Sequence, residues 1–113
     1  MRTVDFSRYC QTSSGDPGLI QKRTGHLIAR MEELGETGLS VTGGMDPVLG
    51  IGRVAIKLPK PDAVTAVGLL ANQWHIRIDP PAADGTLLLS VTISVSFEDI
   101  DYFQAAVMNL IWP

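Results

Sequence analysis

Trp74-His75-Ile76-Arg77-Ile78-Asp79, then Pro80-Pro81-Ala82-Ala83-Asp84-Gly85, then Thr86 to Ser94, then Ser96-Phe97-Glu98-Asp99-Ile100: in this order the residues spell strand, turn, strand and capped helix. Trp74, Ile76 and Ile78 alternate with His75, Arg77 and Asp79, the two-residue period of a half-buried strand. The prolines and Gly85 interrupt it with turn chemistry. The next strand sets Leu87, Leu89, Val91 and Ile93 on one face and Thr86, Ser90, Thr92 and Ser94 on the other. Leu88 breaks the polar face. Ser96 is placed to cap the N–H of Asp99, and Asp99 to reach back, a capping box with a shorter acid than Glu. Val95 and Ile100 suit a hydrophobic staple, and Phe103, Val107, Leu110 and Ile111 extend the buried stripe.

Upstream, the pattern changes period. Asp16-Pro17 is a helix start signal, because Asp caps free amides and Pro at the first position gives up no needed N–H. Ile20, Leu27, Met31 and Leu34 then fall on one helical stripe. Gly25 weakens its middle by up to ~1 kcal/mol relative to Ala, leaving Thr24 as an alternative start, and Gly35 is the expected left-handed end. Leu39-Ser40-Val41-Thr42 predicts a short strand and Gly43-Gly44-Met45-Asp46-Pro47 a turn. Ile51 to Leu58 predicts a second strand with Val54, Ile56 and Leu58 on one face. Pro59-Lys60-Pro61-Asp62 breaks it and starts a helix with Val64, Val67, Leu70 and Ala71 on its apolar face, ending near Asn72. Residues 1–15 lack periodicity and are expected to be an N-terminal arm outside the core. Residues 16–113 then form a single α+β domain, a two-layer sandwich in the order α-β-β-α-β-β-α with helices on a small, largely antiparallel sheet.

Composition limits the function. A chain of 113 residues is one domain, or a small domain of a larger protein, and buries about 65% of its unfolded surface. Hydrophobic residues are 45% and charged residues 19% of the chain, which argues for a packed globule rather than disorder. A mean hydropathy of +0.17 is high for this size, as expected either of a face covered by a partner or of a compact strand-rich core. The net charge of −3, with basic residues scattered, lacks the clustered cations that nucleic acid requires. No apolar run approaches the ~20 residues of a membrane helix, and Met1-Arg2-Thr3-Val4-Asp5 has no secretory h-region. The single Cys10 cannot close an internal disulfide, which favours a reducing compartment. The expected location is the cytoplasm.

Candidate chemistry is sparse. His26 and His75 lie far apart with no HxxxH or CxxC partner, so no metal site is expected. Cys10 has no evident base beside it. Glu32, Glu33, Glu98, Asp99 and Asp101 suit solvent and helix termini better than acid–base work. Gly43-Gly44 and Gly50-Ile51-Gly52 match neither GxGxxG nor a phosphate loop. No catalytic residue is assigned.

One family resemblance gathers these pieces. Gly38-Leu39-Ser40-Val41-Thr42-Gly43 with Asp46-Pro47, then a strand and a helix, then Trp74-His75-Ile76-Arg77-Ile78 with Pro80-Pro81, Leu87-Leu88-Leu89-Ser90-Val91-Thr92 and Glu98-Asp99-Ile100-Asp101 follow one another in characteristic order. Together they resemble the C-terminal small domain of fold-type I pyridoxal-phosphate enzymes, most closely the branch of group II decarboxylases and sphingosine-phosphate lyase. The resemblance runs from Gly38 to Asn109, and extends over the preceding helix. Those enzymes hold the cofactor by a Schiff-base lysine in a large domain. Lys22, Lys57 and Lys60 are the only lysines here, and none has a His-Lys or Ser-x-x-Lys context. Many aminotransferases in the group place a carboxylate-binding arginine where this chain has Leu88, which cannot make the bidentate pair. Arg77 on the adjacent strand is the nearest replacement and the one candidate for substrate binding.

The resemblance therefore implies an isolated or truncated small domain with no catalytic site or bound cofactor of its own. Its expected partner is a missing large domain or a second copy, with Leu88 at or beside the interface. The alternative is a free-standing ferredoxin-like or ACT-like module that binds a small molecule and dimerises. A purely structural assembly subunit is a third reading.

Overall fold

The computed structural model describes residues 3–7, 17–48, 50–60 and 62–112. They comprise β1 (Val4–Asp5), α1 (Pro17–Glu32), a 3-10 turn (Gly35–Thr37), β2 (Ser40–Asp46), β3 (Ile51–Lys57), α2 (Ala63–Trp74), β4 (Ile76–Arg77), β5 (Leu87–Val91) and α3 (Phe97–Ile111). The fold class is α+β as expected, and the α-β-β-α-β-β-α order is present behind one additional short strand. No helix among the described residues is long and apolar enough to cross a membrane.

Strands β2, β3 and β5 form an antiparallel sheet in that order, and β1 pairs with β4 in parallel. The two sheets meet edge to edge: the Ser90 N–H donates to the Phe6 carbonyl at 2.7 Å. In the larger sheet the rows Val41–Ile56–Leu87 and Gly43–Val54–Leu89 run across the strands. Ile56, Leu87, Val54 and Leu89 in these rows are fully buried. Helix α1 lies across β2, β3 and β5 and packs against α3, joining its own Leu27 and Met31 to Phe103 and Val107 in one core. Burying one such side chain contributes about 1.5–3 kcal/mol. The approach of α1 to the sheet depends on Gly52: a Cβ there would run into Thr24, two of whose side-chain carbons lie 2.8 Å away.

Local chemistry explains the best-defined ends. The Ser96 hydroxyl accepts from Asp99 N and the Asp99 carboxylate from Ser96 N, both at 3.1 Å, completing the expected capping box. Val95 and Ile100 beside it are buried. Asp62 caps α2 by accepting from Thr65 N at 3.2 Å and from the Thr65 hydroxyl at 2.7 Å, which holds its carboxyl below the usual range.

Several boundaries differ from the sequence expectations. The N-terminal stretch was expected outside the core, but Val4 and Phe6 are buried within it. The open edge of β4 binds them, with Val4 N donating to His75 O at 3.0 Å and Phe6 N to Arg77 O at 2.8 Å. The Phe6 ring meets Phe103 with centroids 5.0 Å apart. The rest of that arm, including Cys10, and the expected Asp16 cap lie outside the described residues. Trp74 ends α2 instead of leading a strand. Its carbonyl accepts from the Tyr102 hydroxyl at 2.8 Å and its ring stands edge-on to Tyr102. His75 then closes the helix at φ 56°, donating its N–H to Leu70 O, and only Ile76–Arg77 remain as strand.

Gly43 to Asp46 continue β2 because each finds a partner on β3. The chain reverses after them, where Gly50 adopts φ 69° and donates to Asp46 O. Gly35 opens the 3-10 turn, and the left-handed residue is Gly38 at φ 101°. On α2 the buried positions are Ala66 and Leu70, whereas Val64 is 72% exposed. Ser90 and Thr92, expected on a polar face, are buried; the Ser90 N–H donates to the Phe6 carbonyl, and the Thr92 hydroxyl lies 2.7 Å from that of Ser94.

Candidate functional site

The parallel pairing of β1 with β4 sets Asp5 beside Arg77 and opens a cleft of about 410 Å³ at the ends of these strands. Val64, Val67, Ile78, Pro80 and Pro81 supply an apolar wall, and Ser7, Arg77 and Asp79 its polar groups. The volume is within the range of small-molecule sites. Pro80-Pro81 fixes two backbone φ angles, so the wall on that side is rigid.

The polar groups differ in how far they are committed. The Asp5 carboxylate accepts from Ser7 N at 2.8 Å, a local turn that fixes the serine backbone. The Ser7 side chain is buried, yet its hydroxyl has no hydrogen-bond partner among the described residues. An orphaned buried hydroxyl costs about 1–3 kcal/mol, which makes it a marker of unfinished business in the cleft. Arg77 is exposed, and its guanidinium has no ion pair or hydrogen bond among the described residues. Asp79 is buried and engaged in an interaction of its own. Arg77, the one residue proposed for binding from sequence, is thus joined by Ser7, which sequence reasoning missed. The signal was present as the alternation Val4-Asp5-Phe6-Ser7, too short to stand out in an aperiodic stretch.

Leu88 is in a different place. It is half-buried on the face of the three-stranded sheet opposite α1, in a cross-strand row with Ala55 and Thr42. This row, with Arg53 and Asp46, borders a shallow hollow of about 320 Å³. Leu88 and Arg77 therefore serve different surfaces.

A third cluster braces α1 to α3. His26 Nε2 lies 2.8 Å from Asp101 Oδ1, and Arg30 Nε donates to the same oxygen at 3.0 Å. Gln104 Nε2 donates to Arg30 O at 3.0 Å. The hydrogen bond from His26, and then the charge of Arg30, hold the Asp101 carboxyl below its usual range. His26 and Asp101 are 75 positions apart, and nothing in the sequence pairs them. Nearby, the Arg23 guanidinium donates to Ile93 O at 2.8 Å and Val95 O at 3.0 Å while lying over the Phe97 ring. Both sets pin the start of α3 to α1, which is a structural task. Among the described residues no group of three or more His, Cys, Asp or Glu is placed to hold a metal ion.

No protein-family model matches the sequence, and a search of curated proteins finds no significant relative.

Proposed function

We propose that the chain is a docking domain without a catalytic site of its own, resembling the small domain of pyridoxal-phosphate-dependent lyases and decarboxylases. It would act in the cytoplasm, a setting supported by the lone Cys10. The observation that carries the reading is the sheet's second face: α1 packs on one face of β2–β3–β5, while the row Thr42, Ala55 and Leu88 lies on the other, Thr42 exposed and Ala55 and Leu88 half-buried. Lys22, Lys57 and Lys60 are all exposed, which supports leaving a Schiff base to a large domain supplied elsewhere. In the isolated chain the open face closes on a second copy, since a two-fold pair is the commonest closed solution. Light scattering at micromolar concentration tests this. A dimer is expected, and Leu88→Lys should split it without unfolding the protomer, because an unpaired buried ammonium costs several kcal/mol. A wild-type monomer refutes the docking face. Titration with pyridoxal phosphate should give no saturable aldimine band; a band removed by substituting one lysine refutes the non-catalytic assignment.

The second reading, a ferredoxin-like or ACT-like module that binds a small molecule, is favoured by the cleft between Ser7 and Arg77.

A further inference from the structure

We propose that the cleft at the end of the β1–β4 pair binds a small carboxylate with an apolar, branched body. The inference rests on the cleft alone and is independent of the docking face, on which Leu88 lies. Two donors in it lack partners among the described residues: the buried Ser7 hydroxyl and the exposed Arg77 guanidinium. A guanidinium presents a planar fork of donors that matches a carboxylate, and Ser7, whose hydroxyl is a donor, lines the same cleft. The other walls, Val64, Val67, Ile78 and the two prolines, offer no charge to a ligand. They suit a hydrocarbon body, and the 72% exposure of Val64 is the kind of apolar surface such a body would cover.

This combination selects against other ligand classes. A phosphate or nucleotide calls for several cations or a cradle of backbone amides, and Arg77 is the only cationic side chain among the lining residues described. Asp79 also lines the cleft, which disfavours a polyanion more strongly than a monocarboxylate. A neutral apolar ligand would leave both donors unused, and the buried hydroxyl would stay unsatisfied.

The probe is 4-methylpentanoate, followed by amide chemical shifts on the full chain and compared with 4-methylpentanamide and acetate. The acid should give saturable shifts at Ser7, Arg77 and Ile78 in the millimolar range. The amide should bind about tenfold more weakly, as expected for loss of a charge-assisted hydrogen bond, and acetate should also bind more weakly for want of the apolar body. Arg77→Gln, on an exposed side chain, should bring the acid down to the affinity of the amide without moving the melting temperature. Ser7→Ala should weaken the acid severalfold. Equal binding of acid and amide, shifts that map away from the cleft, or no saturation at tens of millimolar would each overturn the assignment.

Discussion

Phe6 is the sharpest test of how this fold is assembled. It belongs to a stretch with no periodicity, yet its side chain is fully buried and its ring meets Phe103 of α3 at 5.0 Å and 57°. Removing a buried phenyl ring costs about 3–5 kcal/mol, a large share of the ~5–15 kcal/mol that holds a domain together. Phe6→Ala and Phe103→Ala are each expected in that range. The double variant would be largely unfolded, so the pair is better apportioned with Phe6→Leu and Phe103→Leu, which keep a folded population. Urea unfolding of both single variants and the double variant should give a coupling of about 0.5–1.5 kcal/mol, the usual worth of an aromatic pair beyond its buried area. Unchanged m-values would show that the change lies in native stability. If Phe6→Ala costs less than about 1 kcal/mol, the first strand is an appendage and the β1–β4 pairing does not hold the core.

Three further outcomes follow from other contacts. Gly52→Ala should destabilise by about 1–3 kcal/mol, the range for overpacking, and Thr24→Ala in the same chain should recover part of the loss; thermal melts showing additive effects would contradict the close approach of α1 to β3. Ser96→Ala should cost about 1 kcal/mol through the lost cap, and an unchanged melting temperature would contradict it. The Asp101 carboxyl is held below its ordinary value of 3.8, so its contribution is fully present above that pH and is lost as pH falls through the lower folded value. With half of the side chain exposed the contribution is within the ~0–1 kcal/mol of surface pairs, and stability of Asp101→Asn should fall less steeply than wild type below pH 4; identical acid limbs would remove the His26–Asp101 brace from the account.

What was legible in the sequence was local. The capping box at Ser96 and Asp99 needs residues three apart, and the stripe of Ile20, Leu27 and Met31 needs only the turn of one helix; these side chains are buried as expected, as is Leu34 just beyond the helix end. The α+β class follows from the alternation of such segments. Failures began where a neighbour distant in sequence decided the outcome. Gly43 to Asp46 look like a turn until β3 pairs with them, and Ser90 looks solvent-facing until Phe6 arrives beside it. Trp74 alternates correctly for a strand, but Tyr102 accepts it as the last residue of a helix.

The candidate site inherits this limit. Ser7 and Arg77 line one cleft only because a strand of two residues pairs in parallel with another more than 70 positions later. Parallel pairing needs a long connection and leaves no hairpin signature in the sequence. Only the family resemblance singles out Arg77, as the nearest replacement for a carboxylate-binding arginine, whereas nothing in the aperiodic stretch around Ser7 marks it. The same pairing joins stability to the cleft. Any change that frees β1 from β4 should loosen Phe6 from the core and separate Ser7 from Arg77 together, so binding of the carboxylate probe should stabilise the paired state. A rise in melting temperature with 4-methylpentanoate, smaller in Arg77→Gln, would show that the probe binds the folded chain. Slower hydrogen exchange of the Val4 and Phe6 amides with the probe would show that the strand pair is tied to the cleft; saturable binding that left their exchange unchanged relative to the rest of the core would mean that the two are energetically separate.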